Sequence, residues 1–179
     1  MTPKNLEISA LPGIPLVAPG DDLVRLILEA MARTDRTFAQ GDIVIVAQKL
    51  VSKAENRYAT LDSITPSRRA ITLAARVDKD PRLVEVILSE SDEVVAAAPG
   101  VLVVAHRSGH VMANAGVDRS NLGAAAGEEQ VLLLPVDPDG EAARLRAGLE
   151  RLAGVAPAVV ISDSIGRPWR NGTAAVAIG

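Results

Sequence analysis

Short apolar runs rich in valine and isoleucine, each ending in a polar loop, constrain the fold of this 179-residue chain most strongly. Runs this short and β-branched are typical of buried or half-buried strands. The predicted strands cover 5–11, 41–50, 101–107, 110–116, 131–135, 158–162 and 173–179. Some follow one another as in a hairpin, and others are separated by helical segments. This order indicates mixed sheets with helices, and 179 residues suit one domain or two small ones that share a core.

Helices are predicted over 22–34, 67–77, 81–91 and 137–154. Asp21 or Asp22 can cap the first helix, and Pro81 suits the start of the third. The last helix carries acidic residues early and arginines later, which complements its dipole. The Pro- and Gly-rich stretch 12–20 and the polar stretch 51–57 are predicted to be loops.

Composition narrows the class of protein. Hydrophobic residues make up 48% of the chain but aromatic residues only 2%, so the core must be built from Ala, Val, Leu and Ile. The net charge of −3 argues against non-specific nucleic-acid binding, which needs a basic surface. The absence of cysteine excludes disulfides, thiolate catalysis and cysteine-based zinc sites. No signal-peptide pattern and no apolar run of about 20 residues are present, so we expect a cytoplasmic protein without membrane association.

Two acidic segments at predicted strand ends concentrate the polar chemistry. NAGVDRSN (114–121) offers Asp118, and ISDSIGRPWRNG (161–172) offers Asp163 and Ser164. Oxygen donors of this kind suit Mg²⁺, which one or two carboxylates hold together with substrate phosphates. Arg167 and Arg170 can hold anionic oxygens, because the guanidinium fork matches phosphate or carboxylate. The residues alone therefore indicate a site for an anion and a metal ion.

Each of these residues also has a purely structural interpretation. Asp118 can bond to its own turn, and Asp163 can cap a turn or a helix. Lysines at strand ends are usually solvated, and histidines flanking a hairpin turn are usually exposed or satisfied. These alternatives concern Lys49, Lys53, His106 and His110. No P-loop, GxGxxG or GxSxG motif is present, which leaves a P-loop nucleotide site or a serine-hydrolase triad without support.

Four segments taken together resemble the coenzyme F420:L-glutamate ligase family. They are LPGIP (11–15), GDIVIVAQKLVSKAENR (41–57), ANAGVDRSN (113–121) and ISDSIGRPWRNGTAAVAIG (161–179). The resemblance implies a GTP-dependent ligase that adds L-glutamate to the deazaflavin phosphodiester precursor of coenzyme F420 through an acyl phosphate. It also implies Mg²⁺ or Mn²⁺, stimulation by K⁺, and an intertwined homodimer. The implied fold is a family-specific α+β fold with mixed sheets, in a single domain spanning 1–179.

The resemblance also assigns roles to individual residues. Asp118 matches a metal ligand, and Asp163 and Ser164 match a second metal-binding pair, so the two aspartates are the expected catalytic centre. The loop from Leu11 through Pro12 and Gly13 to Ile14 matches one that lies along the nucleotide. Lys53 and Asn121 match nucleotide contacts, as does Gln48, at a position where the family commonly has Ser. Arg167 and Arg170 are assigned to the substrate or the incoming glutamate on charge.

Family members extend beyond the segment matched here, so we expect a chain that lacks the family's C-terminal part. A second hypothesis follows from that expectation: a non-catalytic nucleotide- or deazaflavin-binding module, or one half of a split ligase. A third hypothesis, a purely structural protein, predicts that Asp118 and Asp163 lie far apart.

Overall fold

The computed structural model describes residues 6–120, 129–166 and 171–179. In these residues the chain forms helices and three small sheets. The helices are α1 (Leu23–Ala32), α2 (Gln48–Ala54), α3 (Arg68–Val77), α4 (Pro81–Ser89) and α5 (Pro138–Ala153). The strands are β1 (Ile43–Ala47), β2 (Tyr58–Thr60), β3 (Ser91–Ala98), β4 (Val101–His106), β5 (Val111–Ala113), β6 (Gln130–Leu132), β7 (Ala158–Gly166) and β8 (Thr173–Ala177). The α+β class with mixed sheets is confirmed.

Strand pairing is parallel in one place and antiparallel elsewhere. The first sheet has the order β1-β7-β8, with β1 parallel to β7 and β8 antiparallel to β7. The second sheet pairs β2 with β6, and the third is the antiparallel meander β3-β4-β5. The predicted hairpin around residues 101–116 is therefore confirmed, although β5 is shorter than its predicted strand.

Among the residues that the structure describes, two apolar clusters form the core. The first lies between the inner face of the β1-β7 pair and helices α1 and α5, and includes Val46, Ile161 and Leu149. The second lies between α3, α4 and β4, and includes Ile87 and Val104. Aliphatic side chains dominate both clusters, as the composition predicted, because the chain has too few aromatic residues to build a core from them.

Local capping explains why the longer helices begin where the sequence predicted. Asp22 accepts a hydrogen bond from the backbone N–H of Arg25 and so caps α1. Pro81 occupies the first turn of α4, where its missing N–H costs nothing. Helix α5 ends at Gly154, whose φ of 71° suits glycine. None of the described helices combines the length and the apolarity needed to cross a membrane.

Three predicted segments are wrong in whole or in part. Residues 6–11 form no strand, and Leu6 and Ile8 are 87% and 85% exposed, because their alternating pattern has no partner strand in the described chain. The predicted strand 41–50 ends at Ala47, and the predicted loop 51–57 is largely helix α2. Val51 is fully buried in the first cluster, so tertiary packing favours a helix that places it there.

Three strands differ from the sequence expectation through long-range pairing. The sequence missed β2 and β3, which pair with β6 and β4 respectively. Strand β7 continues past residue 162 to Gly166, because its second half pairs with β8 after β1 has ended. Asp163 consequently lies inside a strand rather than in a loop that follows one.

Candidate active site

The parallel pairing of β1 with β7 brings two polar residues to one edge of the first sheet. Ala47, the last residue of β1, lies opposite Ser162 of β7. Gln48 then begins α2, and Asp163 follows Ser162. Because parallel strands run in the same direction, the residues that follow this pair meet at the same end of the sheet.

Backbone pairing fixes Asp118. Its N–H donates to the carbonyl of Leu132 at 2.9 Å, and its carbonyl accepts from the Leu132 N–H at 2.8 Å. Oδ1 of Asp118 accepts from the backbone N–H of Ser120 at 2.6 Å. The local turn contact that the structural interpretation allowed is thus present, but it uses only one carboxylate oxygen.

A left-handed turn immediately before Asp118 sets its position. Asn114, Ala115 and Gly116 have φ values of 53°, 54° and 68°. Left-handed backbone costs roughly 1–2 kcal/mol at each non-glycine residue, and such strain persists only where the surroundings enforce it. Ala115 is fully buried, and a Cβ on Gly116 would lie 2.8 Å from Cγ of Leu134. The turn is therefore determined by packing as well as by its sequence.

Lys49 binds the second oxygen of Asp118. Its Nζ lies 2.6 Å from Oδ2 of Asp118 and 3.0 Å from Oγ of Ser120. Burial acts to raise the pKa of Asp118, but the hydrogen bonds from Lys49 and Ser120 outweigh it and hold that pKa below its usual value. From the sequence alone, Lys49 had no assigned role and was expected to be a solvated lysine. The one feature of the sequence that could have assigned Lys49 to the site is its position beside Gln48, directly after a buried strand.

Asp163 lies close enough to Asp118 and Lys49 for their charges to affect its pKa. Burial raises the pKa of Asp163 above its usual value, and the negative charge of Asp118 adds to this. Hydrogen bonds from Ser164 and Gln48 and the charge of Lys49 act in the opposite direction. The hypothesis of a structural protein, with its two aspartates far apart, is therefore not favoured.

A buried hydrogen bond orients Gln48 toward Asp163. Oγ of Ser52 donates to Oε1 of Gln48 at 2.9 Å, and both residues are buried. The amide nitrogen of Gln48 is then the atom that faces Asp163. We call Gln48, Lys49, Asp118 and Asp163 the aspartate cluster.

The donor atoms of the aspartate cluster fit a hard divalent cation. Among the described residues, no group of three or more His, Cys, Asp or Glu side chains is arranged to hold a metal. Two carboxylates are, however, sufficient for Mg²⁺ when substrate phosphates supply further oxygens. Asp163 is a partly buried carboxylate that a divalent cation would stabilise in its ionised form. The metal-ligand roles of Asp118 and Asp163 stay predictions.

Two further predicted residues, Ser164 and Lys53, lie on β7 and α2, elements that also carry members of the aspartate cluster. The backbone N–H of Ser164 donates to Oδ1 of Asp163 at 2.8 Å. Strand alternation places the Ser164 hydroxyl on the opposite face of the sheet, so the backbone of Ser164 contacts the cluster. Lys53 lies in the last turn of α2 and is 7% exposed. Its nucleotide contact, and the metal contact of Ser164, stay predictions.

The predicted nucleotide loop lines a cleft beside β1. Leu11 and Ile14 pack against the first apolar cluster and line a cleft of about 870 Å³ that also reaches Ala47 and Leu50. The cleft and the aspartate cluster therefore both adjoin the end of β1. Within the loop that also contains Pro12, Gly13 has a φ of 72°, and its carbonyl accepts from the Arg33 guanidinium at 3.1 Å.

Three predicted site residues lie outside the described residues. They are Asn121, expected at the nucleotide, and Arg167 and Arg170, expected at the substrate or the incoming glutamate. Their assigned roles stay predictions.

Comparison with known proteins gives one consistent result. A family model described as F420-0:Gamma-glutamyl ligase matches residues 13–179. Coenzyme F420:L-glutamate ligase of Methanopyrus kandleri is 45% identical over 175 residues, which cover 98% of this chain and 66% of that protein. The ligases of the same name from Methanothermobacter thermautotrophicus and Haloarcula marismortui are 40% and 42% identical, over 98% and 97% of this chain. The chain spans about two thirds of the length of these relatives.

Proposed function

The chain belongs to the F420-0:gamma-glutamyl ligase family, and from that premise we propose that it is a GTP-dependent ligase that joins L-glutamate to the deazaflavin precursor of coenzyme F420. The names of its relatives supply the two substrates. The observation that carries the proposal is the aspartate cluster. Asp118 and Asp163 come from distant parts of the chain, and the charges of Asp118 and its partner Lys49 both act on Asp163.

The reaction needs an activated carboxylate, because a carboxylate is a poor acyl donor to an amine. In the proposed sequence a carboxylate oxygen of the precursor attacks the γ-phosphorus of GTP, and GDP leaves. The amine of glutamate then attacks the carbonyl carbon of the acyl phosphate. Inorganic phosphate leaves, the amine loses its proton, and an amide remains.

Asp118 and Asp163 would hold Mg²⁺ or Mn²⁺ in this scheme. The bound ion supplies positive charge against the nucleotide phosphates, where negative charge concentrates during phosphoryl transfer. Gln48 orients Asp163, since its amide is fixed by Ser52. The left-handed turn before Asp118 keeps that carboxylate in place without relying on a flexible loop.

The remaining parts of the proposal follow the family resemblance. The loop Leu11–Ile14, together with Lys53 and Asn121, would contact GTP beside the cleft. K⁺ would stimulate the reaction, and the protein would act as a homodimer. Size-exclusion chromatography with light scattering tests the dimer, and replacing K⁺ by Na⁺ in the assay tests the ion.

The direct test measures product mass after incubation with GTP, L-glutamate, Mn²⁺ and the deazaflavin precursor. Asp118→Asn and Asp163→Asn should each lower the rate by about 100-fold or more, because a bound metal contributes several kcal/mol to the transition state. Asp92→Asn, an exposed aspartate on β3, is the matched control and should retain the wild-type rate. Wild-type rates in both cluster variants would refute the proposed site.

The same assay separates the second hypothesis from the first. A folded protein that binds GDP and Mn²⁺ but forms no product would favour a binding module or one half of a split ligase. A mass gain of one or more glutamates would establish the ligase activity for the chain by itself.

A further inference from the structure

The ammonium group of Lys49 is held by three oxygen atoms. Nζ lies 2.6 Å from Oδ2 of Asp118, 3.0 Å from Oγ of Ser120 and 3.2 Å from the Ser120 carbonyl. An ammonium has three N–H donors, so these contacts match its full donor capacity. The side chain is 23% exposed. Lys49 is therefore a fixed part of the aspartate cluster.

One lysine does not balance the charge of the cluster. Asp118 and Asp163 carry two negative charges when ionised, and Lys49 supplies one positive charge. A divalent cation would neutralise the two carboxylates, which a single ammonium does not.

The lysine and a divalent cation would bind the same carboxylate, that of Asp118. Oδ1 is already bonded to the backbone N–H of Ser120 at 2.6 Å, and Oδ2 is bonded to Nζ of Lys49. Each carboxylate oxygen keeps a second lone pair, but a metal ion on either oxygen would lie close to the Lys49 ammonium. Repulsion between the two cations is strong where water is partly excluded, so they cannot both bind Asp118 favourably at the same time.

We infer that Lys49 is an internal counterion that occupies the aspartate cluster before the divalent cation binds, and that the cation displaces it from Asp118. The inference rests on the proposed metal site. It makes Lys49 a residue that sets the affinity for the metal and keeps the two carboxylates together in its absence. In this scheme Lys49 lowers the affinity for the metal. A residue that merely supported the carboxylate ligands would raise that affinity.

Isothermal titration calorimetry with Mn²⁺ alone tests the inference without relying on activity. If Lys49 occupies Asp118 about 90% of the time, Lys49→Met should bind Mn²⁺ about tenfold more tightly than wild type. Lys49→Arg, which keeps the positive charge, should remain at or below the wild-type affinity. Lys79→Met is the matched control and should match wild type, since Lys79 lies in the α3–α4 turn, outside the aspartate cluster. Equal or weaker binding by Lys49→Met would overturn the inference.

Salt separates displacement from long-range repulsion. The titrations are repeated at about 0.1 M and about 1 M salt, where the Debye length falls from about 10 Å to about 3 Å. Displacement predicts that the gain of Lys49→Met persists at high salt. A gain that disappears would show that Lys49 acts only through space, and would overturn the inference.

Asp118→Asn distinguishes failure of the inference from failure of the proposed function. If Asp118→Asn binds Mn²⁺ as wild type does, the proposed metal site is wrong and the role of Lys49 falls with it. If Asp118→Asn loses Mn²⁺ while Lys49→Met is unchanged, only the inference about Lys49 fails. Circular dichroism establishes that each variant is folded, and Lys49→Gln, which keeps a polar end group, is titrated in parallel.

Discussion

Replacing Glu90 by glutamine should destabilise the protein by about 3 kcal/mol. The Glu90 side chain is 7% exposed and accepts hydrogen bonds from Arg57, at 2.7 Å, and from Arg107. Arg57 is itself 18% exposed and donates to the carbonyl of Leu134 at 2.8 Å. Glutamine keeps the shape but removes the charge, which leaves the Arg57 guanidinium without its counterion. Breaking a buried ion pair from one side costs about 3–5 kcal/mol, and the acceptor that remains favours the lower figure.

Urea denaturation followed by circular dichroism measures this change. For a protein of this size, a loss of about 3 kcal/mol lowers the melting temperature by roughly 6–12 °C. Arg107→Met is the internal comparison, because the Arg107 side chain is 49% exposed and such a pair contributes about 0.5 kcal/mol. A smaller cost for Glu90→Gln than for Arg107→Met would show that Glu90 is not the centre of a stabilising buried ion pair.

We also expect Glu90→Gln to change how strongly the stability of the protein depends on pH in the acid range. Burial acts to raise the pKa of Glu90, but His106, Arg57 and Arg107 outweigh it and leave the pKa below its usual value. The unfolded chain then binds the proton more readily, so the stabilisation from Glu90 is present above the ordinary glutamate pKa. It is lost as the pH falls through the lowered value. Glu90→Gln should lose less stability than wild type between pH 6 and pH 3, and an equal loss would contradict this assignment.

Two further predictions concern packing. Gly116→Ala should lower the free energy of unfolding by about 2–4 kcal/mol, because left-handed strain adds to a contact of 2.8 Å with Leu134. Gly109→Ala is the comparison: its φ is 86° and no atom lies within 4 Å of the new Cβ, so it should show the backbone strain alone. Leu149→Ala, at a fully buried position of α5, should cost about 2–5 kcal/mol. Leu152→Ala on the same helix is 53% exposed and should lie within about 0.5 kcal/mol of wild type. Urea denaturation measures all four, and equal effects within either pair would contradict the argument.

Elements with local signals were predictable from the sequence. Helices α1, α4 and α5 begin at residues whose side chains or rings favour a helix start, as at Asp22 and Pro81. Those signals act within one turn of the chain, so they depend less on distant residues than strand pairing does. Strand β3 and helix α2 were not predicted, because the pairing of β3 with β4 and the burial of Val51 depend on distant residues.

The candidate site likewise contains residues that the sequence predicted and one that it did not. The acidic motifs around Asp118 and Asp163 were visible in the sequence, and their family resemblance associated them with one site. Lys49 was not assigned to that site, because it and Ser120 are 71 positions apart in the chain. Nothing local distinguishes a lysine that binds an aspartate from one that is solvated at a strand end.

The sequence by itself determined the aliphatic core, the longer helices and the types of residue available for a metal and phosphate site. The tertiary structure alone decided that Lys49, Asp118 and Asp163 meet, and that Asp163 lies inside β7. The physical reason is that local propensity acts over a few residues, whereas the energy of a charge depends on its burial and its neighbours. Here those neighbours are brought together by the β1–β7 register and by the left-handed turn before Asp118.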